Sequence, residues 1–173
     1  MPSRPFAAAG LGGSIEVVAL NYGRTLDDSR RYDPELGMRP VSDIAIQVIR
    51  ALHTQLGLRL LVASNTRPGQ DRRRALAAAG LGTCFAGVVQ SHELRDLGKP
   101  YRGFFRHVQA VAGCAPGRLL FVGHNLLHDV LTPVELGMPA VLVGPVPPRG
   151  LPLGVQLPDI AVLPQLLVEG TDD

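Results

Sequence analysis

Short apolar runs alternate with helix-like segments along most of this chain, and this alternation constrains the fold more than any other feature. The apolar runs at residues 17–20, 58–66, 85–91, 117–125 and 139–145 predict strands, and residues 158–170 predict a last short strand and a helical turn. Strands that alternate with helices in this way predict a three-layer, Rossmann-like α/β fold with a mostly parallel sheet and helices on both faces.

Helical spacing recurs in four segments between the predicted strands, at residues 41–57, 69–82, 101–113 and 127–137. Ser42 or Asp43 is placed to cap the first helix, and Gly57 is placed to end it. The run of three arginines at 72–74, in the second helix, is interpreted as a solvated face. Four apolar residues of the third helix are predicted to lie on one face: Phe104, Phe105, Val108 and Val111.

The length of 173 residues fits a single domain with its own hydrophobic core. We predict a flexible leader at residues 1–14, one α/β domain at residues 15–168 and a tail at residues 169–173. The Pro-rich residues 143–154 are predicted to form a loop, not a linker to a second domain.

Charge, hydropathy and cysteine spacing exclude several classes of function. The net charge is +2 at pH 7, without the dense stripe of lysine and arginine typical of nucleic-acid binders. No apolar run approaches the roughly 20 residues that a membrane-spanning helix needs. Cys84 and Cys114 form neither a CxxC pair nor a zinc-ligand spacing, which favours free thiols and a cytoplasmic location.

Polar motifs stand at or after the ends of the first four predicted strands. In chain order they are Asn21-Tyr22-Gly23-Arg24-Thr25-Leu26, Ser64-Asn65, Lys99-Pro100 and Gly123-His124, the last followed by Asp129 in the next helix. Because the carboxyl ends of parallel strands meet at one edge of a sheet, these motifs are expected to form one site.

In the order and spacing of these four motifs, residues 15–167 resemble the haloacid dehalogenase-like superfamily, most of whose members are phosphatases. The family's first motif is Asp-x-Asp-Gly-Thr-Leu, so its nucleophilic aspartate falls on Asn21 and its acid/base aspartate falls on Gly23. Its fourth motif is Gly-Asp, and that aspartate falls on His124, whereas Ser64 and Lys99 match the second and third motifs. The short spacing between motifs implies a minimal member without a cap domain.

The resemblance implies that the covalent phosphatase chemistry is lost and that no catalytic residues remain. In the family an aspartate carboxylate attacks phosphorus, but the neutral amide of Asn21 is a poor nucleophile. Gly23 has no side chain that could exchange a proton with substrate or water. Family members hold Mg²⁺ at these positions, where His124 now offers an imidazole that suits Zn²⁺ better, so no resident cofactor is expected.

The remaining charges, Lys99 and Asp129, sum to about zero, and we expect a cleft that binds a small anionic or phosphorylated ligand, or a protein partner, without turnover. The candidate ligand-binding residues are Asn21, Arg24, Ser64, Asn65, Lys99 and Asp129. Structural roles for four of these residues stay open. Asn21 could bond to loop backbone, Ser64 could cap the next helix, and Lys99 could pair with Asp129. Arg24 could either fill the cleft or face solvent. A homo-oligomer that covers the uncapped cleft is also open.

In two alternative functions, the protein is an enzyme. In the first, Asp27 or Asp28 replaces the missing acids of a divergent phosphohydrolase that acts on a small phosphorylated substrate. In the second, His124 and Asp129, with His128 nearby, form the metal site of a transition-metal hydrolase.

Overall fold

Six strands form one sheet in the computed structural model, which describes residues 15–144 and 155–169. The strands are β1 (Val17–Leu20), β2 (Arg59–Ser64), β3 (Phe85–Gln90), β4 (Leu119–Gly123), β5 (Ala140–Val143) and β6 (Val155–Leu157). Their order across the sheet is β3-β2-β1-β4-β5-β6, and every neighbouring pair is parallel. The predicted fold class is therefore confirmed.

Among the residues described, five α-helices and several shorter turns connect or follow the strands. The helices are α1 (Asp43–Arg50), α2 (Arg72–Ala78), α3 (Arg102–Ala112), α4 (Thr132–Glu135) and α5 (Leu163–Glu169). Turns of π-helix at Ala51–Gln55 and Leu126–Leu131 extend α1 and precede α4, and 3₁₀ turns lie at Gly82–Cys84, Ser91–Leu94, Pro116–Arg118 and Ile160–Val162. As predicted, Ser42 caps α1, since its Oγ accepts the N–H of Ala45 at 3.1 Å, and Gly57, at φ +65°, follows its last turn.

Each face of the sheet has its own hydrophobic core, because alternate strand residues point to opposite sides. In β1, Val18 and Leu20 pack with apolar residues of α1, α2 and α5, whereas Val17 and Ala19 pack with those of α3. All four side chains are fully buried. With both faces of the central strands covered, the polar residues of the motifs are left at the strand ends.

The connections around the motifs are short. Between β1 and α1 the chain makes two isolated antiparallel bridges, Asp27 with Val41 and Asp33 with Met38. Between β3 and α3 it makes only the 3₁₀ turn Ser91–Leu94 and a loop. Within residues 15–144 and 155–169 there is thus no cap domain, as predicted.

One detail of the predicted elements is wrong. The last strand lies at Val155–Leu157, before the predicted segment, because Asp159 Oδ1 accepts the N–H of Ala161 at 2.8 Å and starts a helical turn instead. Val111 lies on the sheet-facing side of α3, like the three other residues predicted to share its face, but it remains 42% exposed. It lies over the edge strand β3, where a Cβ on Gly87 would be 3.2 Å from Val111 Cγ1, and the described residues form no strand beyond β3.

Three other predicted segments lie wholly or largely outside the described residues. They are the leader at 1–14, residues 145–154 of the Pro-rich loop and residues 170–173 of the tail, whose first residue, Glu169, ends α5. In the part of the chain that is described, no helix combines the length and the apolar character needed to cross a membrane.

Candidate functional site

The loops after β1, β2 and β4, together with the loop before α3, border a cleft of about 160 Å³. The residues that line it are Asn21, Gly23, Ser64, Asn65, Arg72, Lys99, His124, Asn125, His128 and Asp129. The structure therefore brings together all the motif positions that the resemblance singled out. Of the six candidate ligand-binding residues, only Arg24 lies outside this lining.

Asn21 is the first residue after β1, and its backbone N–H extends the β1–β4 pairing by donating to the carbonyl of Val122 at 2.8 Å. Its side-chain Oδ1 accepts from Nζ of Lys99 at 3.0 Å, and its Nδ2 donates to the carbonyl of Gly23 at 2.7 Å. Because an ammonium group only donates and a carbonyl only accepts, these two contacts fix the orientation of the amide. The expected bond from Asn21 to loop backbone is thus present.

The same amide nitrogen holds His124 in its neutral form. Nδ1 of His124 lies 3.1 Å from Nδ2 of Asn21, and since the amide nitrogen donates, Nδ1 is the acceptor and the ring proton is on Nε2. Burial is the largest effect on the ring and lowers the pKa of His124. The positive charges of Arg24 and Lys99 lower this pKa further, and Asp129 opposes them.

Lys99 and Asp129 form a buried ion pair, with Nζ 2.5 Å from Oδ1 and side chains only 3% and 2% exposed. The second carboxylate oxygen, Oδ2, accepts the backbone N–H groups of His124 at 3.1 Å and Asn125 at 3.0 Å. Both oxygens of Asp129 are therefore engaged. Burial lowers the pKa of Lys99, although the charge of Asp129 opposes this. Asp129 and Asn21 take two of the three Nζ hydrogens, which leaves one for a ligand.

Asn65 joins the loop after β2 to the loop that carries Lys99. Its Nδ2 donates to the carbonyl of Lys99 at 2.9 Å, and its Oδ1 accepts the N–H of Lys99 at 2.8 Å. Gly98 permits this close approach, since a Cβ at Gly98 would lie 2.5 Å from Oδ1 of Asn65. With both ends of its amide engaged, Asn65 positions Lys99 in the cleft.

Arg72, the first residue of α2, also lies in this cleft and is only 8% exposed, contrary to the prediction of a solvated face. The central carbon of its guanidinium is 4.4 Å from the centre of the Tyr22 ring. Its Nε donates to Oγ of Ser64 at 3.3 Å. The second motif therefore has a cation beside its hydroxyl.

Helical spacing in the sequence already indicated that Arg72 lies on the buried face of this helix. Arg72 stands three and four residues before Ala75 and Leu76, and these three residues form the buried face of α2. Arg73 and Arg74 are exposed, so the predicted solvated face is correct for them. Reading the three arginines as one charge run concealed the helical spacing.

Arg24 and the nearby acids of the first loop do not enter the cleft. Arg24 is exposed, at φ +57°, and its backbone N–H donates to Oδ1 of Asp27 at 2.8 Å. Oδ1 of Asp28 accepts the N–H of Arg30 at 2.9 Å. These carboxylates therefore shape the loop, and neither Asp27 nor Asp28 stands where the missing acids of the family would be.

The donor groups of the cleft do not fit Mg²⁺, the ion that the family resemblance implies. Mg²⁺ needs oxygen ligands in octahedral geometry, but Asn21 directs N–H groups at the Gly23 carbonyl, and both oxygens of Asp129 accept hydrogen bonds. His124 Nδ1 and Asp129 Oδ2 lie 3.9 Å apart, and each already accepts a hydrogen bond. The described residues hold no group of three or more His, Cys, Asp or Glu side chains placed to bind a metal.

The charges of the cleft favour an anion. Lys99 and Arg72 contribute one positive charge each, Asp129 contributes one negative charge and His124 is neutral, so the sum is about +1 instead of the predicted zero. The cleft offers donors from Lys99 and Arg72, whereas the Ser64 hydroxyl already donates to the carbonyl of Asn65 at 3.3 Å. The only carboxylate among the described lining residues, Asp129, has both oxygens engaged and cannot attack a substrate.

Solved structures of several proteins share this fold. An uncharacterized protein from Listeria monocytogenes serotype 4b has a TM-score of 0.75 and 19% identity, over 92% of this chain and 100% of that one. L-2-haloacid dehalogenase from Xanthobacter autotrophicus has a TM-score of 0.69 and 18% identity, over 91% and 99%. A HAD phosphatase from Thermococcus onnurineus has a TM-score of 0.61 and 23% identity, over 73% and 58%.

These structural similarities concern the fold alone, and no curated protein sequence matches this chain. The sequence profile of haloacid dehalogenase-like hydrolases, however, matches residues 11–137. That span runs from before β1 to just after α4 and contains all the motif positions that line the cleft. The chain therefore belongs to the haloacid dehalogenase-like hydrolase family.

Proposed function

We propose that this protein binds a small anionic ligand, such as a phosphorylated molecule, in the cleft and does not hydrolyse it. The observation that carries this proposal is the amide of Asn21 at the position of the family's nucleophile. Its oxygen already accepts from Lys99, and its nitrogen donates to the carbonyl of Gly23 at 2.7 Å. A neutral amide in these contacts cannot form the carboxyl-phosphate bond of the family.

The proton-transfer carboxylate of the family is missing as well. Gly23 has no side chain, and the space where its Cβ would lie has no other atom within 4 Å. Asp27 and Asp28 are engaged by backbone N–H groups of their own loop. His124 accepts a hydrogen bond at Nδ1 and therefore offers its Nε2–H to a ligand as a donor.

The size and polarity of the cleft support binding of a small anion. Its volume of about 160 Å³ is below the roughly 300–1,000 Å³ of pockets that bury drug-sized ligands. The third N–H of Lys99 and the guanidinium of Arg72 supply donors, and hydrogen bonds from charged donors to oxyanions are stronger than neutral ones. A ligand with a few heavy atoms at its charged end matches this cleft.

We place this function in the cytoplasm. Cys84 and Cys114 are free thiols in the structure, and a reducing compartment keeps thiols in that state. Neither cysteine lines the cleft, so we assign neither a role in ligand binding.

A phosphatase assay with a generic phosphate ester tests the absence of turnover. The purified protein is expected to release no phosphate with Mg²⁺ and none with Zn²⁺, while inorganic phosphate or a phosphate ester shifts the NMR resonances of the cleft. Metal-dependent phosphate release at the rate of a working enzyme, abolished by Ser64→Ala, would contradict the proposal.

A triple variant tests whether the scaffold is otherwise competent. Asn21→Asp, Gly23→Asp and His124→Asp together are expected to give Mg²⁺-dependent turnover, since the space at Gly23 is open to a side chain. Asn21→Ala, Gly23→Ala and His124→Ala together form the matched control, which changes the same positions without adding carboxylates and should stay inactive.

A further inference from the structure

We propose that Arg72 anchors the ligand and that the cleft selects singly charged oxyanions over doubly charged phosphate monoesters. A carboxylate and a phosphodiester share this chemistry: two terminal oxygens that carry one negative charge. The inference rests on the proposed function, that the cleft binds a small anion, and it names the class of that anion.

Arg72 is a buried cation without a carboxylate partner among residues 15–144 and 155–169. It is 8% exposed, and its side chain contacts the Tyr22 ring, the Ser64 hydroxyl and, at 3.7 Å, the sulfur of Met38. Burial lowers the pKa of Arg72, which reflects the unfavourable transfer of this charge out of water, and the charge of Asp27, which lies beyond ion-pair distance, opposes this only in part. A buried charge without a partner opposes folding, and a bound anion would offset that effect.

The guanidinium keeps free donors at the cleft. Its Nε donates to Ser64 and its Nη1 contacts Met38, whereas Nη2 has no partner in the described part of the chain. Every enclosed polar side-chain atom in that part has a hydrogen-bond partner, so Nη2 retains contact with the open cleft. A guanidinium can bind both oxygens of a carboxylate or phosphate group through two parallel hydrogen bonds.

The charges of the other lining residues limit the charge of the ligand. Asp129 neutralises Lys99 at 2.5 Å, and His124 is neutral, so the cleft has about one positive charge in excess, that of Arg72. A singly charged oxyanion would be balanced by this charge. A dianion would bring a second negative charge close to the buried Asp129, and these donor groups do not fit the Mg²⁺ that offsets such charge in the family.

Titration of the full chain at pH 8 with three probes tests this inference. Acetate, dimethyl phosphate and methyl phosphate are compared by NMR, because at this pH methyl phosphate is doubly charged and dimethyl phosphate is not. Acetate or dimethyl phosphate is expected to shift the side-chain N–H resonances of Arg72 and to bind more tightly than methyl phosphate. The stronger of these two probes identifies the ligand as a carboxylate or a phosphodiester.

Two variants isolate the role of the guanidinium. Arg72→Gln is expected to weaken binding of the better probe about 10- to 100-fold, the effect of losing a hydrogen bond from a charged donor. Arg73→Gln, which changes the exposed neighbour, should leave this affinity unchanged. If Arg72→Gln fails to fold, Arg72→Lys replaces it, with a several-fold loss expected because the charge stays and the planar fork is lost.

The contrary results separate this inference from the proposed function. Anion binding that is equal in Arg72→Gln and Arg73→Gln, or in Arg72→Lys and the unmodified protein, would overturn Arg72 as the anchor. Binding of methyl phosphate as tight as, or tighter than, that of both singly charged probes would overturn the charge selection. In both cases the cleft would still bind anions, whereas no shift of any cleft resonance with any probe would overturn the proposed function too.

Discussion

Asn21 shows how the exchange of one atom changes what a cleft can hold. An amide is nearly the size of a carboxylate, but its nitrogen donates where a carboxylate oxygen would accept. Here Nδ2 lies between two acceptors, the carbonyl oxygen of Gly23 at 2.7 Å and Nδ1 of His124 at 3.1 Å. In the family, these two positions contribute ligands to a cation. Here the two hydrogens of a neutral amide nitrogen donate to them instead.

His124 carries the first prediction, because its protonation would break this arrangement. The lowered pKa of the folded state means that, as the pH falls below the reference value of 6.5, the unfolded chain binds a proton that the folded chain refuses. Stability should therefore fall with decreasing pH between 6.5 and the lowered pKa, and should be unaffected by this group above 6.5. Urea unfolding at several pH values, and NMR titration of the His124 ring, measure the two effects.

His124→Asn is the matched variant, since its side-chain oxygen can accept from Asn21 but does not titrate. At pH 8 the two proteins are compared with both side chains neutral, which gives a fixed offset in the free energy of unfolding. As the pH falls towards 5, the free energy of unfolding of the unmodified protein should then decrease relative to that of the variant. A constant offset across this range, or a His124 pKa at or above 6.5, would contradict the prediction.

The residues of the cleft were predictable from the motifs, but their hydrogen bonds were not. Asn21, Ser64, Lys99 and His124 were singled out because strand ends converge in a parallel sheet. The partners of Asn21, however, lie 78 and 103 residues away in the chain, so the direction of its amide depends on loops that only the fold brings together.

At the scale of elements, the end of β4 depends on a glycine. Asp129 folds back from the following π-helical turn onto Gly123, and a Cβ there would lie 2.2 Å from Cγ of Asp129. Gly123→Ala is therefore expected to lower the free energy of unfolding by about 1–3 kcal/mol, because the backbone or the Asp129 carboxylate must shift. Urea unfolding measures the change.

Gly117 offers a control for this prediction, because a Cβ there would have no atom within 4 Å. Gly117→Ala should change stability by no more than about 0.5 kcal/mol. Equal unfolding midpoints and slopes for the two alanine variants would show that the contact between Gly123 and Asp129 does not restrict the end of β4.

The elements at the centre of the sheet were predicted better than those at its edges. β1, β2 and β4 are apolar almost throughout because they are buried on both faces, and this signal depends little on neighbours. At the edges of the sheet, the burial and conformation of a residue depend on the neighbours that contact its side chain. Val111 is exposed beside the edge strand β3, and Asp159 converts an apolar segment into a helical turn.

At the scale of the whole molecule, the strand order explains why one cleft forms. The strand order reverses at β1, because β2 and β3 lie on one side of it and β4 to β6 lie on the other. Loops that follow β2, β1 and β4 therefore meet at one opening. Lys99 ties these loops together: its Nζ binds Asn21 after β1 and Asp129 after β4, and its backbone binds Asn65 after β2.

Loss of Lys99 should therefore weaken the entire fold. Lys99→Met is expected to lower the free energy of unfolding by about 3–5 kcal/mol, because Asp129 would remain buried without its cation. That is a large share of the roughly 5–15 kcal/mol that stabilises a domain. Lys99→Met combined with Asp129→Asn should lose less than the sum of the single changes, since the amide no longer needs a counter-charge and its oxygen can still accept the N–H groups of His124 and Asn125.

The exposed pair of Arg102 and Glu135 gives the comparison that decides this prediction. Its side chains are 58% and 61% exposed, so solvent screens their attraction, and Arg102→Met should cost at most about 1 kcal/mol. Urea unfolding of both single variants and the double variant, monitored by circular dichroism, provides the free energies. If Lys99→Met unfolds no more easily than Arg102→Met, the buried pair does not join the three loops, because removing a cation that held them together must cost more than removing one at the surface.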